Sequence, residues 1–262
     1  MNGQGLVKIL APLAVGLLVL VAWEAVVRLE DIPRYILPGP LLVAETLWTD
    51  GASLAGSLLI TLRITAAALA AAVLLGGALA LLFARSRVLE ISLFPYAVIL
   101  QVTPIVAIAP LIIIWVKDTF LSLLLCAWIV AFFPIVSNTT LGLNSADRNL
   151  VELFRLYGAS NWQILWRLRL PSALPYFLAG LRISGGLALI GAVVAEFVAG
   201  TGGAETGLAS RIFEAGYRLQ IPRMFAALVL LSLTGIAIYG ALSLLSWLLL
   251  RRWHESALPR EE

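Results

Sequence analysis

Residues 120–141 read Phe-Leu-Ser-Leu-Leu-Leu-Cys-Ala-Trp-Ile-Val-Ala-Phe-Phe-Pro-Ile-Val-Ser-Asn-Thr-Thr-Leu, without one charged side chain. A helix crosses the hydrocarbon core of a bilayer with about 20 consecutive apolar residues. This stretch is therefore long enough to cross alone. Five more stretches meet the same test, at 6–27, 57–83, 93–115, 176–198 and 224–250. The whole composition agrees. Of the 262 residues 61% are hydrophobic and only 13% charged, with a mean hydropathy of +0.99. A soluble domain keeps roughly a quarter of its residues charged to cover its surface. The expected fold class is an all-α membrane protein of six transmembrane helices, organised as one transmembrane domain over residues 1–262. The stretch at 6–27 is read as a retained first helix rather than a signal peptide, because its apolar run is long and no small-residue cleavage site follows.

The net charge of +3 does not point to nucleic acid, because the basic residues punctuate the apolar runs instead of forming one patch. The loops between spans at 84–92 and 142–175 hold Arg85, Arg87, Arg148, Arg155, Arg167 and Arg169, and Lys8, Arg251, Arg252 and Arg260 lie near the ends of the chain. By the positive-inside rule both termini and these loops are cytoplasmic. Arg28, Arg34, Lys117, Arg211, Arg218 and Arg223 then fall outside. Cys126 has no second cysteine to pair with, and His254 is the chain's one histidine. A multi-histidine metal site is therefore excluded.

Two outer segments are longer than turns. Leu37-Pro38-Gly39-Pro40 forms a rigid entry to a short surface helix over 41–48. Gly202-Gly203 and Gly207 precede a second such helix over 210–217. The cytoplasmic segment 142–175 is the more informative. Leu150, Leu153, Phe154 and Tyr157 recur at helical spacing, and Gly158 closes that helix. Ser160 or Asn161 caps a second helix, carrying Trp162, Leu165, Trp166 and Arg169, that is expected to run until Pro171. A short amphipathic helix of this kind either lies in the lipid interface or fills a groove on a soluble partner. Physical chemistry leaves the first helix open between the two uses and favours the interface for the second.

Glu152, Gly158, Leu168, Leu170 and Pro171 together resemble, in their spacing, the Glu-Ala-Ala signature of permease subunits of binding-protein-dependent ABC importers. Leu153 and Phe154 stand where the signature has alanines, and Leu168 where it has isoleucine. The resemblance extends along most of the chain. Leu37-Pro38-Gly39-Pro40, Pro104 with Ala109-Pro110-Leu111 and Trp115, Phe133-Pro134, Gly180-Leu181-Arg182 and Val194-Ala195-Glu196 are similar to the nitrate, sulfonate and taurine branch. It implies a type I ABC importer permease fold in the bacterial inner membrane, multi-pass and non-catalytic. A second copy of the chain, two ATPase subunits that bind ATP and magnesium, and an extracytoplasmic binding protein would complete it. Carried over by position, Glu152, Leu153, Phe154, Tyr157, Gly158 and Ala159 dock on the ATPase, supported by Leu168, Leu170 and Pro171. The implied substrate is a small anion of the nitrate, sulfonate or taurine kind; a vitamin precursor such as a pyrimidine is the alternative.

Other classes fare worse on the residues. The chain has no phosphate-binding loop and no Gly-Lys pair, so ATP must bind elsewhere. An ion-coupled carrier would place acids or histidines in mid-membrane and repeat its halves, and neither pattern is visible. An intramembrane enzyme would need an activated nucleophile or metal ligands. Pathway candidates are Arg63, Gln101, Thr103, Ser184 and Glu196. Arg63 either lines the pathway or, the preferred reading, snorkels outward or pairs with Glu196. Pro95, Pro104 and Pro110 each tend to kink the third span, giving either a bent pathway-lining helix or a plain packing irregularity.

Overall fold

The computed structural model describes residues 3–200 and 206–251, so Gly202, Gly203, Arg252, His254 and Arg260 lie outside the described residues. The helices in order are α1 (Gly3–Leu29), α2 (Pro40–Thr49), α3 (Gly51–Arg85), α4 (Arg87–Val102), α5 (Ile105–Val116), α6 (Thr119–Asn144), α7 (Arg148–Leu156), α8 (Asn161–Ile164), α9 (Leu170–Ala199), α10 (Leu208–Tyr217) and α11 (Ile221–Leu250). No strand occurs among the described residues. Five segments are long and apolar enough to cross a membrane: Leu10–Leu29, Gly51–Arg85, Thr119–Asn144, Asn161–Ala199 and Ile221–Leu250. A sixth exists only if α4 and α5 are counted as one broken span.

That break corrects the expectation of a single third span at 93–115. α4 and α5 meet at 99°. At 1.5 Å per residue they are about 24 and about 18 Å long, so neither crosses a core of about 30 Å alone. Pro104 is the cause. It offers no N–H, and it holds Thr103 in an extended conformation at φ −71° and ψ 122°. The Thr103 N–H and hydroxyl both donate to the Ile99 carbonyl, which closes α4. Pro95 and Pro110, in contrast, sit inside continuous helices.

The chain divides into two compact units, Met1–Leu59 with Thr201–Ser232, and Ile60–Gly200 with Leu233–Glu262. In the first, Val43, Leu54, Leu208, Ile212, Ala226 and Ala227 form a core from α2, α10 and the first turns of α3 and α11. α10 is thus half-sunk in this unit rather than a free surface helix. Gly39, the residue before α2, offers no side-chain cap. Glu24 of α1 supplies the acceptor instead: its Oε2 takes the Leu41 N–H at 3.3 Å, while Oε1 takes Arg28 Nε at 2.6 Å. On α10, Glu214 accepts from Arg211 at 3.0 Å and from Arg218 at 2.9 Å. The Arg211 hydrogen bond first, and the nearby arginine charges after it, hold its carboxyl below the usual carboxylate range.

The second unit is organised by α6 and α9, which run antiparallel at backbone contact. A methyl group added to Gly191 would lie 2.8 Å from the Ala127 Cα, one at Gly180 2.7 Å from the Pro134 carbonyl oxygen, and one at Gly142 2.8 Å from the Ala173 Cα. Ser184, fully buried, donates its hydroxyl to the Ala131 carbonyl across the same seam at 2.7 Å. Small residues permit this approach where lipid provides no hydrophobic drive between helices. α3 lays Ile64, Ala68 and Ala72 against the pair.

Two outcomes test this architecture. Gly191→Val should prevent stable assembly and Gly191→Ala should cost about 1–3 kcal/mol, the usual range for overpacking. Gly186→Ala, whose added methyl meets open space, should be neutral; thermal melting in detergent distinguishes them. Because the Glu214 carboxyl is depressed, its contribution is complete above the ordinary carboxylate pKa and is lost as pH falls through the lower folded value. Protection of the α10 amides, taken relative to their intrinsic exchange at each pH, should therefore fall on acidification, and should not in Glu214→Gln.

Candidate functional site

α6 ends at Asn144, and α7 follows after three residues. Asp147 starts α7, its Oδ1 accepting the Asn149 N–H at 2.7 Å. Gly158 ends it as the sequence indicates, at φ +75°. The Ala159 N–H reaches back to the Phe154 carbonyl and the Gly158 N–H to that of Arg155, both at 2.9 Å, a Schellman closure that requires a left-handed residue. Ser160 then starts the next helix. Its hydroxyl accepts the Gln163 N–H, and the Gln163 side chain accepts the Ser160 N–H, a reciprocal capping box.

Beyond this point the expectation of a separate second helix ending at Pro171 is corrected. Asn161–Ala199 is one apolar segment, passing through a wide turn at Leu165–Arg169 in which the Leu170 N–H bonds to the Leu165 carbonyl. Pro171 falls in the first turn of α9, where a missing N–H costs least, and the Ser172 hydroxyl at 2.8 Å satisfies the Leu168 carbonyl. Leu168 and Leu170 pack as half-buried residues in this continuous helix.

The segment brings the predicted docking residues together. Leu153, Phe154, Tyr157, Gly158 and Ala159 line one hollow of ≈ 340 Å³, with Gln163 and Arg167 at its edge. Tyr157 is 85% exposed and Leu153 44%, so apolar surface is presented outward. Glu152 lines the adjacent hollow with Arg148, Arg155 and Arg169 and makes no ion pair among the described residues. An outward apolar knob beside an unpaired carboxylate can seat in a partner's groove and be held at its rim.

The pathway candidates are not gathered in one place. Glu196 is 1% exposed, and its Oε1 accepts the Thr61 hydroxyl at 2.7 Å. The expected pairing of Arg63 with Glu196 is absent. Residues two apart on a helix do not share a face, so with Thr61 turned inward Arg63 is exposed and has no polar partner among the described residues. Gln101 is exposed near the end of α4, Thr103 sits in the bend, and Ser184 is spent on the α6–α9 seam. Thr61 is not legible in sequence, because a threonine among the leucines and isoleucines of a span carries no signal of what it meets. Among the described residues no group of three or more histidine, cysteine or acidic side chains gathers to hold a metal.

The chain belongs to the inner membrane components of binding-protein-dependent transport systems, whose family model matches residues 72–253. It is 38% identical to the riboflavin transport system permease protein RibX of Chloroflexus aurantiacus, across 92% of this chain and 88% of that protein. It is 36% identical to the formylaminopyrimidine transport permease protein ThiX of Halalkalibacterium halodurans, across 92% and 95%. The taurine transport system permease protein TauC of Escherichia coli is 30% identical, across 92% and 86%. A chain from a crystal structure of an amino acid ABC transporter with histidines shares the fold, with a TM-score of 0.63 at 17% identity, over 76% of this chain and 95% of that one. The protein is thus a multi-pass inner membrane permease subunit of an ABC importer.

The closure of α7 is open to direct test. Gly158→Ala should cost about 1–2 kcal/mol for forcing a side chain into the left-handed region. The loss should be seen as faster hydrogen exchange in α7, with the membrane helices unchanged; equal exchange in variant and parent would show that the conformation of Gly158 is not what closes the helix.

Proposed function

We propose that α7 is the coupling helix: it seats in a groove of a separate ATPase subunit and passes that subunit's ATP-driven closure to α6 and α9. The observation that carries the reading is the grouping of Leu153, Phe154, Tyr157, Gly158 and Ala159 around one outward hollow, beside the unpaired Glu152. Two such chains would form a twofold pathway served by two ATPases, each holding ATP and magnesium, and by a binding protein delivering solute at the opposite face. Both termini lie on the ATPase side in this reading, and the two compact units act as one permease domain. The chain itself performs no covalent chemistry.

For the substrate, we favour a neutral nitrogen heterocycle of the riboflavin or pyrimidine kind. Support comes from the two relatives whose names carry such solutes, at 38% and 36% identity over nearly the full chain. A small sulfonate-like anion is the second reading. It is favoured by the unpaired Arg63 on a membrane-spanning helix, which an anion would neutralise, and by the taurine permease at 30% identity.

The assembled importer in proteoliposomes tests both parts. Glu152→Arg should leave membrane insertion intact and abolish solute uptake while ATP hydrolysis becomes independent of the loaded binding protein. Normal uptake in that variant removes the coupling assignment. Uptake of labelled riboflavin or formylaminopyrimidine, unaffected by excess taurine, supports the heterocycle; the reverse pattern supports the anion.

A further inference from the structure

On the other side of α7 from the docking hollow lies a second pocket of ≈ 340 Å³, between the C-terminal end of α3 and the corner joining α7 to α8. Arg85, Arg155 and Arg169 line it, with Ala84, Asn161 and Trp162, and no acidic side chain is among its lining residues; Glu152 stands in the neighbouring hollow that shares Arg155 and Arg169 and pairs with neither. Three like charges share a pocket only if something neutralises them. The guanidinium groups of Arg85 and Arg155 have no hydrogen-bond or ion-pair partner among the described residues. Arg169 is held in place: its Nη1 donates at 3.2 Å to the Ala84 carbonyl, in the last turn of α3, where carbonyls lack helical partners. A guanidinium has five N–H donors, so most of those on Arg169 remain available. The pocket is therefore a partly ordered array of donors whose one bonded acceptor among the described residues is the Ala84 carbonyl.

Its position identifies the acceptor. Arg85 is the final residue of one membrane-crossing helix, and Asn161 is the first of another crossing segment, Asn161–Ala199. Trp162 and Trp166 stack edge to face at 5.5 Å and are 59% and 56% exposed. Exposed tryptophans beside basic residues at a span end mark the depth of lipid headgroups. A soluble metabolite site would not need to open at that level.

We infer that this pocket binds the phosphate of an anionic phospholipid from the leaflet on the α7 side of the membrane. The phosphate oxygens accept from Arg85, Arg155 and Arg169, the glycerol lies against Trp162, and the acyl chains run out along the bilayer. A lipid so held bridges the end of α3 to the coupling segment, tying the seat of α7 to a membrane helix that α7 does not otherwise continue. The inference rests on the inner-membrane setting but not on ATP coupling, and binding reads the pocket without transport.

The test uses the full chain, purified in uncharged detergent, with native mass spectrometry counting retained lipid during titration with phosphatidylglycerol or phosphatidylcholine. The parent chain should hold one phosphatidylglycerol preferentially. Each arginine near an anionic headgroup is worth roughly fivefold in affinity, so Arg85→Gln with Arg155→Gln should weaken binding about 25-fold. The paired lysine variants should keep most of it, and Arg148→Gln, outside the pocket, all of it. Should the glutamine pair fail to fold, each single variant should still show its roughly fivefold loss. Equal retention of the two lipids by the parent, or unchanged affinity in the glutamine variants, overturns the proposal. So does complete displacement by millimolar inorganic phosphate, which would mark a site for soluble anions. Loss of ATPase-subunit association in these variants with lipid retention unchanged overturns it too, and would give the pocket to an acidic stretch of that partner.

Discussion

The antiparallel contact of α6 with α9 sets the terms for the rest of the second unit. At Gly142, Gly180 and Gly191 the two backbones meet with no room for a methyl group, and Ser184 bonds across to the Ala131 carbonyl. Packing at that distance has few alternative registers, because a shift of one residue would drive side chains into backbone. The two helices therefore move as one body. α7 is inserted between their ends, three residues after α6 and separated from α8 by Tyr157, Gly158, Ala159 and Ser160. Both of its junctions are pinned: Asp147 caps the entry, while the Schellman closure and the Ser160–Gln163 box fix the exit. These caps fix where α7 begins and ends, and none of its residues is buried.

The wide turn at Leu165–Arg169 qualifies that rigidity. Such turns are uncommon and shift the helix by one residue relative to a regular spiral. Here the turn lies between the exit of α7 and the first glycine contact on α9, so the place where the helix can change register is separated from the place where it cannot. Arg169, at the end of the turn, reaches the last turn of α3 through the Ala84 carbonyl. Three segments of the second unit thus converge on the five residues that carry this irregularity.

Much of this was legible in the sequence, for reasons that differ from one element to the next. The apolar runs were readable because lipid imposes length and composition on each span independently of its neighbours. Gly158 and the Ser160–Gln163 pair were readable because caps are local chemistry. The bend at Thr103–Pro104 was only partly so: three prolines stand near it, and the one that breaks the helix is the one preceded by a threonine whose N–H and hydroxyl both donate to the Ile99 carbonyl. The wide turn left no local sign. Pro171 reads as a terminator on its own, yet it stands in the first turn of α9, where a missing N–H costs least.

The pairing of Arg63 with Glu196 fails for a geometric reason that sequence alone could have weighed. The buried stripe of α3 runs through Thr61, Ile64, Thr65, Ala68 and Ala72, a helical spacing that leaves residue 63 off the stripe. Glu196 therefore meets a hydroxyl, and the guanidinium two residues on turns away from the unit's interior. An acidic side chain buried inside a membrane protein is costly, and such groups are retained where they hold structure together or act in the pathway. Thr65 donates in turn to the Thr61 carbonyl at 2.8 Å, so the hydroxyl facing Glu196 belongs to a turn that is itself held. Thr61 and Arg63 thus stand on different sides of α3, Thr61 toward Glu196 of α9 and Arg63 on the exposed side.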